Sequence, residues 1–561
     1  MPEIVTRERD PAAFEALVAS NIDPRMARLY SARGIAGAAD LNHEINALLP
    51  PTQLAHVEKA ATLLADAIVA GKRLLIVADY DADGATACAV GMRALSAMGG
   101  KVEFIVPNRF EYGYGLTPEI VALATDRDPH IIITVDNGIA SVEGVAEANR
   151  RGIEVLVTDH HLPGQYLPAA AVIVNPNQVG DSFASKNLAG VGVIFYTMLA
   201  LRAELRSRQY FAGKSEPNLA DLLDLVALGT VADVVRLDHN NRVLVEQGLQ
   251  RIGAGRICPG IRALMQVAGR DPSRASTYDL GFMVGPRLNA AGRLDDMSLG
   301  IDCLLADNDR NALDLATKLD QLNRERRSIE SDMKDAAMIS LADMDVGNRY
   351  SLAMFDPAWH QGVVGILASR IREKYHRPVI AFARDGHGNL KGSGRSIKGF
   401  HLRDALDLVT KHAPDLIAKF GGHAMAAGLT IPESAMARFA DAFEAVARGM
   451  LTPTDLAERM ETDGTLGAGE LDFGFVSTID AQVWGQGFVS PSFTGAFKVI
   501  DQRVVGEKHL KLKIAMGGAT FKAMRFGSAD ALNTRIDAVF RPSINEFRGQ
   551  RTLQLVLDYV A

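Results

Sequence analysis

Five short apolar runs alternate with helix-type segments in the first third of the chain. The runs occupy residues 73–78, 102–106, 131–135, 153–158 and 171–174. Segments typical of helices lie between them, at Thr86 to Met98, Thr117 to Ala124 and Ser141 to Arg151. Strands that alternate with helices predict an α/β fold built on a doubly wound parallel sheet. In such sheets ligands bind beyond the carboxyl ends of the strands.

The rest of the chain changes pattern three times. Helical patterns dominate from about 190 to 310, and Asp307 to Asp345, which lacks Gly and Pro, predicts a long connecting helix. A second α/β unit follows, and we expect two of its segments, Gly392 to Ser396 and Gly421 to Ala424, to be glycine-rich loops. Short alternating runs near the C-terminus predict a small β-barrel. We therefore expect lead-in helices at 1–60, an α/β domain at 61–306, a connecting helix at 307–348, a smaller α/β domain at 349–445, a linker at 446–472 and a barrel at 473–561.

Composition narrows the class of protein. The 561 residues are 48% hydrophobic, which is ample for several globular cores. The three cysteines are far apart, the N-terminus lacks a signal pattern, and no apolar stretch is long enough to span a membrane. We therefore expect a cytoplasmic protein without a membrane partner.

Charge is distributed unevenly along the chain. The net charge is −7, which by itself does not indicate a nucleic-acid partner. Residues 488–561, however, hold 11 Lys and Arg against 6 Asp and Glu, so this segment is +5 and the remainder is −12. A basic C-terminal module beside an acidic body is suited to holding a polyanion near a catalytic site.

Acidic and histidine clusters follow several of the apolar runs. They are Asp79-Tyr80-Asp81-Ala82-Asp83, Asp136, Asp159-His160-His161 and, after a helical segment, Asp233. Carboxylates brought together at one sheet edge repel one another and need a compensating cation. The sequence therefore predicts a divalent metal site at this edge.

Plainer interpretations stay open for each motif taken alone. The carboxylates of 79–83 suit a turn and a helix cap before Thr86. His160 and His161 suit a surface pair, and Asp136-Asn137-Gly138 suits an ordinary turn. Metal-type ligands after three strands make the metal site the better interpretation of the whole set.

These motifs resemble, in chain order, the four motifs of the DHH phosphoesterase superfamily. The four segments are Asp79 to Gly84, Thr134 to Gly138, Asp159 to His161 and Gly229 to Asp233. The glycine-rich segments resemble the DHHA1 domain that accompanies it. The resemblance covers nearly the whole chain and implies a doubly wound DHH domain, a long connecting helix, a smaller α/β DHHA1 domain and a C-terminal OB-fold β-barrel.

The resemblance also implies two divalent metal ions, Mn²⁺ or Mg²⁺. Asp136 would bridge them, Asp81 would bind one ion, and Asp83, His160 and Asp233 would bind the other. Many relatives carry a histidine where this chain has Val77, and Asp79 is expected to compensate. His161 would contact the scissile phosphate, and Asp159 would orient His160 from behind.

The implied substrate contacts lie in both α/β domains. By resemblance, Arg109, Ser393 and Arg395 would hold a 5′-terminal phosphate. Arg287, Arg293 and His423 would bind the substrate backbone. Without the family match, Ser393 and Arg395 would be interpreted as turn residues, and His423 as a histidine at a helix start.

The barrel offers weaker candidates for DNA contacts. They are Lys511, Lys513, Arg525, Phe547 and Arg548, since cations contact the backbone and aromatic rings stack on bases. A basic face that is merely solvated is the alternative interpretation.

The resemblance, together with the basic C-terminal module, implies a 5′→3′ exonuclease specific for single-stranded DNA, which releases 5′-mononucleotides in DNA repair and recombination. Two alternatives are a DHH phosphodiesterase for oligoribonucleotides or cyclic dinucleotides, and a catalytically inactive nucleic-acid-binding relative. Compact phosphodiesterases lack the extra barrel, and inactive relatives lose ligands that this chain retains. We expect a monomer, with a single-strand-binding protein and a helicase as partners by family resemblance.

Overall fold

The computed structural model describes residues 2–112, 114–342, 344–547 and 550–561. The side chains of Arg109 and Phe547, and the whole of Arg548, lie outside the described residues, so their predicted roles stay predictions. The chain forms two compact units. The larger one comprises Thr6–Asn323 and Thr462–Ala561, and the smaller one comprises Arg324–Glu461 with the residues up to Val5.

The N-terminal segment comprises β1 (Glu3–Thr6), α1 (Pro11–Ala19), α2 (Pro24–Ser31) and α3 (Val57–Val69). Of these elements, α1 and α2 pack against the C-terminal barrel. Aspartates cap α1 and α2, and a proline occupies the first turn of each. Leu17 and Leu29 are fully buried in the same hydrophobic cluster as barrel residues such as Phe493. The first two lead-in helices, α1 and α2, therefore share a core with the last domain of the chain.

A five-stranded parallel sheet follows, as predicted. Its elements are β2 (Arg73–Ala78), α4 (Ala82–Ala97), β3 (Lys101–Ile105), α5 (Arg109–Tyr112), α6 (Pro118–Thr125), β4 (Ile131–Val135), α7 (Val142–Arg150), β5 (Glu154–Thr158) and β6 (Val172–Val174). The strand order is β3-β2-β4-β5-β6. Alternate residues of β2, such as Ile76 and Val77, enter separate hydrophobic clusters. Both faces of the sheet are thus covered, as a doubly wound fold requires.

One helix begins earlier than predicted. We expected it at Thr86, but α4 begins at Ala82. Asp81 caps it by accepting hydrogen bonds from the amides of Asp83 and Gly84, both at 3.0 Å. The acidic motif is therefore partly a cap and first turn, and this places its side chains at the sheet edge.

Helices complete this part of the larger unit. They are α8 (Gly190–Ser207), α9 (Leu223–Ala232), α10 (His239–Gly253), α11 (Pro259–Val267), α12 (Gly285–Leu294), α13 (Ser298–Leu305) and α14 (Asp309–Ala342). A π-helical turn, Asp279–Val284, leads directly into α12. The long helix predicted from residues 307 to 345 is present as α14, which begins in one unit and ends in the other.

The smaller unit is built on a mixed five-stranded sheet. Its elements are β7 (Leu352–Phe355), α15 (Val364–Tyr375), β8 (Val379–Arg384), β9 (Asn389–Arg395), α16 (Leu402–His412), β10 (Lys419–Gly422), β11 (Ala426–Pro432), α17 (Met436–Met450) and β12 (Arg459–Thr462). The strand order is β10-β11-β9-β8-β7, and only β7 and β8 pair in parallel. β12 pairs with β1, so a strand lies within the stretch predicted as a linker.

The prediction of glycine-rich loops in this unit is wrong. Gly392 to Arg395 belong to β9, and Gly421 and Gly422 belong to β10. A Cβ atom on Gly392 would lie 2.4 Å from the ring of Phe382. The glycines in β9 serve close packing between neighbouring strands, which local sequence does not reveal.

The C-terminal barrel is closed, as predicted. Its elements are α18 (Phe473–Asp480), β13 (Phe493–Val505), β14 (His509–Met516), β15 (Ala519–Arg525), β16 (Arg535–Phe547) and β17 (Gln550–Val560), with barrel order β13-β14-β15-β17-β16. Inward residues such as Leu512 and Ile514 are buried, and Lys511 and Lys513, which alternate with them along β14, are exposed. No helix among the described residues combines the length and apolar character that a bilayer crossing needs.

Candidate active site

The acidic motifs converge where the sheet reverses its strand order. The chain passes from β2 to β3 on one side and returns to β4 on the other side of β2. Asp79 follows β2, Asp136 follows β4, and Asp159 and His160 follow β5. In a doubly wound sheet this reversal leaves a crevice at the carboxyl ends of the strands. The predicted candidates therefore lie where such a fold places its ligand.

A buried asparagine holds the two central strand ends together. The Nδ2 atom of Asn137 donates to the carbonyl of Val77 at 3.1 Å and to the carbonyl of Val135 at 2.9 Å. Asp136 adopts a left-handed backbone conformation, with φ of 62°. That conformation is uncommon outside glycine and concentrates at functional sites. It directs Asp136 into the cluster rather than along the strand.

The side chains form three overlapping groups whose ligand-type atoms lie within 4.8 Å of one another. They are Asp83, His160 and Asp233, then Asp79, Asp81 and Asp136, and finally Asp136, His160 and His161. The Nε2 atom of His160 lies 3.1 Å from Oδ1 of Asp136, 3.6 Å from Asp233 and 3.9 Å from Asp83. The first two groups contain the side chains that the family resemblance assigns to the two ions. The assignment of these atoms as cation ligands is a prediction.

Burial and mutual repulsion both raise the pKa values of these carboxylates. Burial raises the pKa of Asp83 and of Asp136 well above the usual range, and neighbouring carboxylates raise both further. Burial, with a further contribution from Asp81, raises the pKa of Asp233 to about 7. The protein alone therefore does not neutralise the cluster.

The two histidines differ in charge. Burial, with the neighbouring charge of His161, lowers the pKa of His160 to about 4, which keeps its imidazole neutral and able to bind a metal. Burial opposes protonation of His161 too, but its 2.8 Å hydrogen bond to Asp159 raises its pKa to about 9. The raised pKa favours the protonated form of His161. A cation fits the predicted phosphate contact better than a metal ligand.

Asp159 supports both histidines by different routes. One of its oxygens accepts from the backbone amide of His160 at 2.7 Å and from the ring of His161. The other oxygen accepts from the amide of Ile139 at 2.9 Å. We expected Asp159 to orient the His160 ring, but its side-chain contact is with His161.

Asp83 is held by the start of a distant helix. Its two oxygens accept from the amides of Gly190, at 2.6 Å, and Val191, at 2.8 Å, in the first turn of α8. A Cβ atom on Gly190 would lie 2.6 Å from the side chain of Asp136. Glycine is therefore required for α8 to approach the acidic cluster this closely.

The site has donor atoms that suit a hard divalent cation. Oδ1 of Asp136 and Nε2 of His160 are buried and have no hydrogen-bond partner within the described part of the chain. Buried polar atoms are rarely left unpaired unless an ion or ligand satisfies them. Carboxylate oxygens and a neutral imidazole suit Mn²⁺ or Mg²⁺, whereas a thiophilic metal would need sulfur ligands.

Sequence reasoning missed several asparagines that shape the site. Asn289 accepts from the amide of Ala82 at 2.8 Å. Asn175 and Asn177 donate to the carbonyls of His161 and His160, at 2.9 and 2.6 Å. Asn175 directly follows the apolar run at 171–174, so the strand-end rule that found the aspartates would have found it. Asn289 lies on a helix and carries no comparable signal.

Two arginines predicted to bind the substrate backbone lie on α12. Arg287 is 9% exposed, and its Nε donates to Asp320 on α14 at 2.9 Å. Its charge is already neutralised, so the contacts favour a role in joining α12 to α14. Arg293 is half-buried near the end of α12.

The remaining candidates lie in the smaller unit. Arg395 donates to Oγ of Ser393 at 3.2 Å, so these two side chains are neighbours on β9. Burial and the nearby Arg372 lower the pKa of Arg395. His423 lies in the turn between β10 and β11, where its amide donates to the carbonyl of Ala426. The alternative that placed His423 at a helix start is wrong.

The barrel carries a row of like charges on its outer face. Lys513 lies directly opposite Lys522 on the next strand, and Lys511 lies opposite Arg503. Like charges in register repel each other, so an anionic ligand would stabilise this surface. Arg525 is half-buried at the end of β15.

Three domain families match consecutive parts of the chain. The N-terminal domain of the DHH family matches residues 73–230, the DHHA1 domain matches residues 347–449, and the RecJ OB domain matches residues 462–559. The fold and the acidic cluster thus define a DHH-family protein with an added OB domain.

Relatives that match the chain over nearly its whole length identify a more specific family. The single-stranded-DNA-specific exonuclease RecJ of Dickeya dadantii is 47% identical over 571 residues, covering 99% of both chains. The protein of the same name from Escherichia coli is 48% identical over 555 residues, covering 96% of both. RecJ from Thermus thermophilus, crystallised with Mn²⁺, superposes with a TM-score of 0.84 at 30% identity, covering all of this chain and 79% of that one. The chain belongs to the RecJ family of single-stranded-DNA-specific exonucleases.

Proposed function

We propose that this protein hydrolyses single-stranded DNA from the 5′ end and releases 5′-mononucleotides with the help of divalent metal ions. The observation that carries the proposal is the carboxylate and histidine cluster at the strand-order reversal, in the same unit as a barrel with a basic face. RecJ from Thermus thermophilus has been crystallised with Mn²⁺ and with Mg²⁺. The relatives that match this chain over its whole length are named single-stranded-DNA-specific exonucleases.

We assign the metal ligands according to the first two groups of side chains described above. Asp79, Asp81 and Asp136 would hold one Mn²⁺ or Mg²⁺ ion, and Asp83, His160 and Asp233 the other, with Asp136 between the two. The short separation of Asp136 Oδ1 from His160 Nε2 supports a bridging role for Asp136. Two such ions lower the pKa of a water molecule and stabilise the attacking and leaving oxygens during an in-line displacement.

His161 and its neighbours would act on the substrate. Its imidazolium, held by Asp159, would donate a hydrogen bond to a non-bridging oxygen of the scissile phosphate. The positive charge would offset the charge that accumulates on the phosphate in the transition state. We retain the prediction that Arg287 and Arg293 bind the substrate backbone.

The polarity of the reaction would come from recognition of the 5′ end. Ser393 and Arg395 form a paired hydroxyl and guanidinium group that suits a terminal phosphate, with Arg109 and His423 as further predicted contacts. A terminal phosphate carries more charge than an internal one, so a guanidinium prefers it.

The barrel would hold the single strand beyond the active site. Lys511 and Lys513 are exposed and form no ion pair within the described residues, so they are available to phosphates. Exposed Phe526 adds a ring on which a base can stack.

We also propose a cytoplasmic, monomeric enzyme that works with a single-strand-binding protein and a helicase. Cys88, Cys258 and Cys303 are free thiols, which suits a reducing compartment. Co-sedimentation with a purified single-strand-binding protein and with a helicase tests the partners separately.

The activity is tested by substrate competition. The purified protein is given Mn²⁺ and 5′-labelled single-stranded DNA, duplex DNA, short RNA and a cyclic dinucleotide. We expect labelled mononucleotide from the single strand alone, before any shorter oligonucleotide forms. Preferential hydrolysis of the cyclic dinucleotide, or no hydrolysis of DNA, would contradict the proposal.

Two variants separate catalysis from end recognition. Asp136→Asn should bind single-stranded DNA and not hydrolyse it. Arg395→Gln should retain Mn²⁺ binding but lose its preference for a 5′-phosphorylated strand over a 5′-hydroxyl strand. An unchanged preference would remove Arg395 from the 5′ site.

A further inference from the structure

Two aromatic side chains are stacked and exposed at the π-helical turn that precedes α12. Tyr278 directly precedes this turn, and Phe282 lies within it. The rings of Tyr278 and Phe282 have centroids 5.2 Å apart and planes 25° from parallel. Tyr278 is 57% exposed and Phe282 is 70% exposed. Apolar side chains of this size are normally buried, and a paired exposed set indicates a binding surface.

The turn itself explains why the rings align. Residues four apart lie above one another on a helical face, and Tyr278 and Phe282 have this spacing. Leu280 and Val284 on the same turn are fully buried and anchor it to the core. π-helical turns are uncommon and occur often at functional sites. The fold thus holds both rings toward solvent on a rigid support.

One side of this turn packs next to the acidic cluster. A Cβ atom on Gly281 would lie 3.1 Å from the side chain of Val231, and one on Gly285 would lie 3.1 Å from Ala232. These two residues immediately precede Asp233 in the chain. Beyond the turn, Asn289 of α12 holds the amide of Ala82 beside the acidic motif. The turn that carries Phe282 therefore packs against the end of α9, which leads directly to Asp233.

The other side of the turn contacts the barrel domain. Thr277 donates to the carbonyl of Trp484 at 2.7 Å, and Arg274 pairs with Glu546 on β16. Tyr278 also lies near Arg541 on the same strand, which pairs with Asp558. The aromatic pair thus bridges the region between the acidic cluster and the barrel, within one compact unit.

The chemistry of this surface selects bases rather than phosphates. The arginines around it, Arg274 and Arg541, are already paired with carboxylates. What the surface presents to solvent is two π faces. Stacking on aromatic rings is tolerant of sequence because every base has such a face.

We propose that Tyr278 and Phe282 form a stacking platform for bases of the single strand that lie 3′ of the scissile bond, between the active site and the barrel. This proposal rests on the proposed exonuclease function. It predicts that long substrates gain affinity that very short ones cannot gain, independently of base sequence.

The test compares substrates of two lengths. The ratio of kcat/KM for a 5′-phosphorylated 20-mer to that for a trinucleotide is measured with Mn²⁺. In the double variant Tyr278→Leu, Phe282→Leu, we expect the ratio to fall about tenfold or more. The matched double variant Tyr278→Phe, Phe282→Trp keeps both rings and should retain the wild-type ratio. Equal ratios for both double variants would overturn the proposal.

Abasic sites locate the stacked bases. A block of three abasic positions is moved along the 20-mer, and kcat/KM is measured for the wild-type protein and the leucine variant. One block should impair the wild-type protein, and the leucine variant should be insensitive to that block, because the same interaction is already lost. Equal sensitivity of both proteins at every block would also refute the platform. Failure of the wild-type protein to degrade either oligonucleotide would instead contradict the proposed function.

Discussion

Replacing Asp233 with asparagine should stabilise the metal-free protein and abolish most of its stabilisation by Mn²⁺. Burial and then Asp81 raise the pKa of Asp233 from 3.8 to about 7. The folded state therefore holds a proton that the unfolded state has released at intermediate pH. This group's contribution to stability is full below pH 3.8 and is lost as the pH rises to about 7.

The size of the effect follows from the shift in pKa. Each unit is worth about 1.4 kcal/mol, so ionised Asp233 destabilises the metal-free fold by up to about 4 kcal/mol at pH 8. For a unit of roughly 400 residues, this corresponds to a rise of about 5 °C in Tm when the charge is removed. At pH 5 most of the difference should disappear, because Asp233 is then protonated in the folded protein.

Thermal unfolding with and without Mn²⁺ measures both consequences. The wild-type protein and Asp233→Asn are compared in EDTA at pH 5 and pH 8, and again with excess Mn²⁺ at pH 8. Asp126→Asn, an exposed carboxylate on a different loop, is the control and should match the wild type. A lower Tm for Asp233→Asn in EDTA at pH 8, or an undiminished response to Mn²⁺, would refute the argument that buried, ionised Asp233 destabilises the metal-free fold.

Three other perturbations test separate parts of the larger unit by chemical unfolding or metal titration. Asp463→Ala should cost about 3–5 kcal/mol of stability, because it leaves buried Arg33, now 2.8 Å from Asp463, without its partner; a loss under about 1 kcal/mol would contradict this. Burial lowers the pKa of His43 to about 4, so stability should fall as the pH drops from 6.5 toward 4, and His43→Gln should remove that dependence. Gly190→Ala should weaken Mn²⁺ binding at least tenfold, because its Cβ would lie 2.6 Å from the side chain of Asp136; unchanged affinity would show that the two segments can move apart.

The parallel sheet was predictable because both of its faces are covered. Strands buried on both faces appear in the sequence as continuous apolar runs, and residues 73–78 and 131–135 are such runs. The long helix was predictable because its segment contains neither Gly nor Pro. The barrel was predictable from alternation alone, as Leu512 and Ile514 point inward between exposed lysines.

The errors arose where a residue's role depends on a distant neighbour. The glycines of β9 are typical of a loop, but they accommodate the Phe382 ring of β8. The pairing of Arg287 with Asp320, 33 positions later, was likewise not predictable from the sequence around either residue. No local pattern contains either partner.

The sequence by itself determined which chemistry this protein can perform. Carboxylates and histidines placed directly after apolar runs must meet at one edge of a parallel sheet, because strand direction and side-chain type are both local properties.

Only the tertiary structure decided how that chemistry is tuned. The contrasting charges of His160 and His161 depend on burial and on a hydrogen bond that folding creates. The close approach of α8 to the acidic cluster, and the exposure of Tyr278 and Phe282, depend on packing between segments far apart in the chain. Such properties arise from distances between residues, and the order of residues does not specify distances.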